Sequence, residues 1–295
     1  MADPVIAILF DFDGTLAGDS ITSMLKKSNI DADEFWERIT KMVERGWDPP
    51  IASMTRILEL VGDGSLDLTT NRMRELGGEL KPFSGLPEMF DQLQQMVKDK
   101  REFSDAGIKL EFYIISGGLE EIIRGSPTAK HMTGIFGCTF EHDDKTNQPV
   151  AIKSAISFTE KTRFLFGIHK GFSERGLRTT PYIVNDALKE EEKRVPLDHM
   201  IYIGDGPSDI PCFSVVNNGR GDTIGIRRQR AQKGEISKGY EMARGERMTQ
   251  GPYKADYSEG AEMRDAIEDA ILDIGHDILR QRKERRIGSP LPGNP

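Results

Sequence analysis

Two aspartates separated by one phenylalanine close an almost unbroken apolar run, "VIAILFDFDGTL" over residues 5–16. In an extended strand, side chains two apart point the same way, so Asp11 and Asp13 share a face while Phe12 turns toward the core. Gly14 lets the backbone leave the strand tightly. Two bare carboxylates about 4 Å apart repel by about 4 kcal/mol at an effective dielectric of about 20, so the pair needs a proton or a cation. A divalent, oxygen-seeking ion such as Mg²⁺ suits it. The plain alternative is an Asp-Gly turn after a strand, which occurs in any fold.

Further polar groups end other elements. In "YIISGG" (113–118), Ser116 and Gly117 offer a hydroxyl and backbone N–H groups that can cradle an anionic oxygen; a helix-capping serine is the alternative. In "YIGDGPSDIP" (202–211), Asp205 sits where a strand stops and Asp209 follows one helical turn later. Asp209 occupies the third position of what would otherwise be a GxGxxG fingerprint, so a dinucleotide loop is not indicated. In "SFTEKTRFLFGI" (157–168), Thr159 reads as an N-cap and places Lys161 in the first helical turn. A lysine there opposes the helix dipole, and an anion held jointly by the helix N-terminus and the ammonium would explain it. Lys153, on a nearby strand, is the rival cation.

The elements that must position these groups are legible around them. "VIAILF" (5–10), "LEFYII" (110–115), "HMIYIG" (199–204) and "DTIGIR" (222–227) read as buried strands, and "LPEMFDQLQQMVKDK" (86–100) and "GPSDIPCFSVV" (206–216) as helices. This alternation predicts an α/β fold, a Rossmann-like parallel sheet core flanked by helices, with ligands at the carboxyl ends of the strands. Residues 18–83 carry no strand signal but show helical spacing in "DADEFWERITKMVERG" (31–46), "ASMTRILELVG" (52–62) and "LTTNRMRELGGEL" (68–80). A crossover needs only about a dozen residues, so a small helical domain inserted after the first strand is expected. That divides the chain into a core of 1–17 and 84–286, an insert of 18–83, and a tail of 287–295 expected to be disordered. Residues 134–163 read as short strands around the turn "DDKTNQP", with His142, Asp143 and Asp144 as loop. Residues 227–252 read as a surface helix and loop, and 261–286 as a terminal helix. Phe35, Trp36 and Trp47 are expected to close the insert's small core.

Of the 295 residues, 30% are charged and 37% hydrophobic, with a formal net charge of -8. That balance argues against a chain-wide role on nucleic acid or an anionic membrane. The basic "RQRKERR" (280–286) has a dipole reason to sit at a helix C-terminus. Two cysteines without CxxC spacing leave no disulfide framework or zinc site to propose. The opening "MADPVIAILF" lacks the basic start of a signal peptide, and no stretch approaches the ~18 apolar residues of a membrane span. A soluble cytoplasmic protein is expected.

Together "DFDGTL", "IISGG", "FTEK" and "GDGPSD" resemble the four motifs of the haloacid dehalogenase superfamily, in its order and setting. The helical insert and the hairpin at 134–163 are similar to the cap and hairpin of the phosphoserine-phosphatase-like branch. The resemblance implies that Asp11 is a nucleophile attacking phosphorus and Asp13 a general acid and base. It implies Mg²⁺ held by Asp11, the backbone carbonyl of Asp13 and Asp205, with Asp209 orienting the metal shell. Ser116, Gly117 and Lys161 would hold the phosphoryl oxygens of a small phosphorylated substrate. An acid at position 13 fits ester hydrolysis, which has a leaving oxygen to protonate, rather than carbon–halogen cleavage. In that branch a glutamate beyond the first motif and a cap arginine contact the substrate. Here Ser20 stands at the first of these places and Arg56 matches the second. Phosphoryl transfer to another acceptor, or a binding module without turnover, are the competing readings.

Overall fold

A computed structural model of the chain describes residues 3–227 and 248–288. The centre is a seven-stranded sheet in the order β4-β3-β2-β1-β5-β6-β7. The strands are β1 Val5–Phe10, β2 Lys109–Leu119, β3 Gly134–His142, β4 Pro149–Ser154, β5 Met200–Gly204, β6 Asp222–Arg227 and β7 Gln250–Lys254. All neighbours pair parallel except β3 and β4, which form an antiparallel hairpin. Every residue of β1 is buried, as expected of a strand covered on both faces by helices. The fold is therefore α/β and Rossmann-like.

The order also locates the site. From β1 the chain moves to β2 on one side, then returns to β5 on the other, so β1 borders the switch point where such sheets bind ligands. Phe10 is level with Ile114 of β2 and Ile203 of β5. Whatever follows β1 and β5 thus emerges side by side, next to the late residues of β2.

Between β1 and β2 lie α1 Ser20–Lys27, α2 Ala32–Val43, α3 Pro49–Gly62 and α4 Thr70–Gly78, followed by α5 Glu88–Asp99 and the short α6 Arg101–Asp105. Asp31 caps α2 through Asp33 N and Glu34 N, and Thr69 caps α4 through Arg72 N. The stretch closes at its neck, where Ala17 bridges Pro82 and Phe83 N donates to Leu16 O over 2.9 Å. The α4 helix lies against α7 Glu120–Gly125. A Cβ on Gly77 would come within 2.0 Å of the Ile122 carbonyl oxygen, and one on Gly125 within 2.0 Å of that of Arg74. Only glycines allow these backbones so close. The tip of the β3–β4 hairpin grips the same stretch, with Leu68 N donating to Gln148 Oε1 over 3.0 Å.

After β4 come α8 Glu160–Lys170, the short α9 Glu174–Thr179 and a series of 3-10 turns up to His199; α10 Ile210–Asn218 follows β5, and α11 Glu262–Gly288 ends the described chain. Several expectations change, and His142, expected in a loop, is the last residue of β3. The strand of "YIISGG" does not stop before Ser116: β2 runs to Leu119, with a register irregularity against β3 between Ile115 and Leu119. Part of the segment expected as surface helix and loop is β7; residues 228–247 of it, and the tail from 289, lie outside the described residues. Of the three aromatics expected in the insert's core, Phe35 is buried and Trp36 is half-buried with its indole N–H on Thr22 Oγ1, but Trp47 is 42% exposed.

Candidate active site

The bend after β1 delivers the first carboxylate. Asp11 N donates to Ile203 O of β5 over 2.9 Å, which fixes the start of the bend. Asp11 Oδ1 accepts from Phe12 N at 2.7 Å, and Oδ2 lies 2.8 Å from Lys161 Nζ. Phe12 is fully buried, as the alternation requires. Asp13, half-buried, is held by Ser20, whose N–H donates to Oδ1 at 2.8 Å and whose hydroxyl donates to Oδ2 at 3.1 Å. Loss of water around Asp13, then the negative charges of Asp19 and Asp11, hold its pKa well above the usual carboxylate range despite those two bonds. Asp13 is therefore inclined to carry a proton that it can give away.

Lys161 lies one residue into α8 and is 1% exposed. Its ammonium bridges Asp11 Oδ2 at 2.8 Å and Asp209 Oδ1 at 2.7 Å. Burial alone would depress its pKa, but the two carboxylates outweigh it and raise the value, so Lys161 stays charged. The lysine that opposes its own helix dipole is thus explained by two acceptors on other elements. Lys153, the rival, points from the hairpin to Glu141 on an exposed face.

Asp209 is fully buried and accepts three hydrogen bonds: Lys161 and the Tyr202 hydroxyl at 2.9 Å on Oδ1, and Gly206 N at 3.1 Å on Oδ2. Burial raises its pKa; Lys161 counters and the Asp11 charge adds. Asp205 follows β5 directly, and carboxylate oxygens of Asp11, Asp205 and Asp209 all lie within 4.8 Å of one another. That spacing suits one hard cation, and an all-oxygen donor set suits Mg²⁺.

Gly14 completes this corner. Its φ is +77°, and a Cβ there would lie 2.3 Å from Asp205 Oδ2. A Gly14→Ala protein is expected to lose about 1–3 kcal/mol of stability through backbone strain and overlap. Urea unfolding beside Gly18→Ala, where a Cβ meets nothing within 4 Å, measures it. Equal stability of the two variants would show that the bend tolerates a side chain.

On the β2 side, Ser116 is buried and its hydroxyl accepts from Gly118 N at 3.0 Å. It is not a helix cap, since α7 begins only at Glu120 with Leu119 at the capping position. Gly118 is the glycine that faces the acids: a Cβ there would be 2.7 Å from Asp13 Oδ2 and 3.3 Å from Ser116 Oγ. Gly117 instead offers its carbonyl to the Cys138 thiol at 3.2 Å. Of the two glycines in "SGG", Gly118 rather than the expected Gly117 is therefore the one beside Asp13. Tyr202, within an apolar run, carries no sequence signal of its bond to Asp209.

The two residues expected at the substrate both have partners within the chain. Ser20 is buried with both donors on Asp13, so it holds the second aspartate. Arg56 pairs with Glu59 at 2.9 Å and lines a separate pocket with Arg38, Asp31 and Asn29.

No protein-family model matches the chain. An uncharacterized protein of Borreliella burgdorferi is 28% identical over 236 residues, covering 72% of this chain and 79% of that one. Among solved structures, a HAD-family hydrolase from Salmonella enterica serovar Typhi is similar with a TM-score of 0.51 and 17% identity over 77% of this chain. This chain covers 64% of that hydrolase's length. A probable phosphoserine phosphatase from Vibrio cholerae is 12% identical at a TM-score of 0.46, covering 84% of this chain and 68% of that one. The likeness to the Salmonella hydrolase is one of fold: an α/β, mostly parallel sheet flanked by helices, with an antiparallel hairpin at one edge.

Proposed function

We propose that the chain is a Mg²⁺-dependent phosphatase that hydrolyses the phosphate monoester of a small metabolite through an aspartyl-phosphate on Asp11. One observation carries this reading. A buried ammonium joins Asp11 to Asp209 at the carboxyl edge of the sheet, and Asp205 lies within carboxylate reach of both. A scaffold gains nothing from two acids crowded against one lysine with a third carboxylate beside them. A nucleophile that must approach an anionic phosphate needs fixed positive charge beside it.

Asp11 would attack phosphorus as the bond to the ester oxygen breaks. Asp13, inclined to be protonated, would deliver its proton to that leaving oxygen. Its ionised form would then take a proton from the water that attacks the acyl phosphate, releasing phosphate and restoring Asp11. Ser116, the backbone at 117–118 and Lys161 would bind the phosphoryl oxygens. Asp11, Asp205 and the Asp13 carbonyl would hold Mg²⁺, which supplies charge neutralisation when bound. Residues 18–83 would act as a cap over this edge, joined to the core at the Ala17–Pro82 neck and seated on α7 by α4.

Release of phosphate from a panel of phosphorylated metabolites, with Mg²⁺ and with a chelator, tests the reading. Turnover of at least one ester that stops on chelation is expected. Absence of release across the panel, beside Mg²⁺ binding, would favour a binding module instead. An Asp205→Asn protein is expected to need on the order of tenfold more Mg²⁺ for half-maximal rate, because one charged ligand becomes neutral. An unchanged Mg²⁺ titration would remove Asp205 from the metal set.

A further inference from the structure

The site contains a hydroxyl that none of these steps uses. Tyr202 lies on β5, is fully buried, and packs its ring edge-on against Phe213 at 5.6 Å between centroids. We infer that Tyr202 is a positioning residue: it fixes the Asp209 carboxylate, and through Asp209 it sets where the Lys161 ammonium stands relative to Asp11. The inference rests on the phosphatase reading of the same site.

The geometry is a chain of three contacts. Tyr202 donates to Asp209 Oδ1 at 2.9 Å, Lys161 donates to that same oxygen at 2.7 Å, and Lys161 reaches Asp11 Oδ2 at 2.8 Å. With Gly206 N on Oδ2, Asp209 receives donors on both oxygens and cannot turn without breaking at least one of them. Packing does not require the hydroxyl, because phenylalanine would fill the same place among the apolar residues of β5. Without it, Oδ1 would keep only the lysine, a flexible partner that can shift together with that oxygen while Gly206 N holds the other. The ammonium shared with the nucleophile would then lose a defined position. Burial and the charge of Asp209 hold the Tyr202 phenol well above its ordinary pKa, so it remains a donor at any working pH.

The test is Tyr202→Phe, which keeps the ring. In the active enzyme kcat is expected to fall about tenfold, the scale of a lost hydrogen bond to a charged group, with KM changed by less than about twofold. In an Asp209→Asn background the same substitution should have little further effect, because the partner it acts through is already altered. Nuclear magnetic resonance of protein carrying ¹⁵N-lysine gives a readout independent of turnover. The Lys161 ammonium is expected to exchange its protons slowly in the unsubstituted protein and to broaden or vanish in Tyr202→Phe. An unchanged Lys161 signal overturns the inference whatever happens to kcat, and so does an unchanged kcat in an active enzyme. Should the unsubstituted protein hydrolyse no ester, the phosphatase reading falls, while the lysine resonance still decides the role of Tyr202.

Discussion

Asp11→Asn is expected to lower phosphate release on the order of a thousandfold or more while leaving the fold intact, since it removes the attacking atom rather than a support. Both oxygens of Asp11 accept hydrogen bonds, from Phe12 N at 2.7 Å and from Lys161 at 2.8 Å. An asparagine can satisfy only one of them, so some stability is lost as well. Lys161 still keeps Asp209, however, and no buried charge is left alone. The two effects separate experimentally: phosphate release under saturating ester reads the chemistry, and urea unfolding reads the packing. A loss of rate no greater than the loss of folded protein would mean that another group attacks.

Removing the cation instead should strike at stability. Lys161→Met keeps most of the side chain's length but leaves Asp11 and Asp209 together without their common partner. Breaking one side of a buried ion pair costs about 3–5 kcal/mol, and here two acids are orphaned. The pH dependence follows from the direction of the shifts. Burial already raises the pKa of Asp209, with Lys161 holding it down; without Lys161 it rises further. In the unfolded chain the same carboxyl titrates near its ordinary value of about 3.9. Between those two values the folded state binds more protons than the unfolded one, so stability falls as pH rises. The deficit of Lys161→Met should therefore be largest near neutral pH and shrink on acidification toward the carboxylate range. Urea unfolding in the presence of a chelator at about pH 5 and pH 7.5 measures it. An equal deficit at both values would mean that the lysine contributes packing rather than charge.

Much of this was legible before any coordinates, for reasons that vary along the chain. The expected ranges of β1 and β6 coincide with the strands in the structure, because unbroken branched apolar runs leave few alternatives. Asp11, Asp205 and Lys161 were legible because each ends or opens an element, where a charge needs a reason. The extension of β2 through Ser116 was not, since "SGG" has turn chemistry and its pairing with β3 resumes only at Leu119. The β7 strand was missed because Gly251 and Pro252 read as loop, and an edge strand is the one place in a sheet where proline is tolerated. Arg56 rests on motif spacing alone, and its guanidinium pairs with Glu59 one turn along α3. Tyr202 shows the opposite case, a hydroxyl bonded to Asp209 at a position whose pattern says only that it is core.

The most direct measurement concerns the bond that the proposal requires. Protein mixed with a turned-over ester, quenched in acid and digested, is expected to carry an added phosphoryl group on the peptide containing Asp11, and none in the Asp11→Asn protein. Sustained phosphate release with that peptide never modified, at mixing times shorter than one turnover, would contradict covalent attack by Asp11.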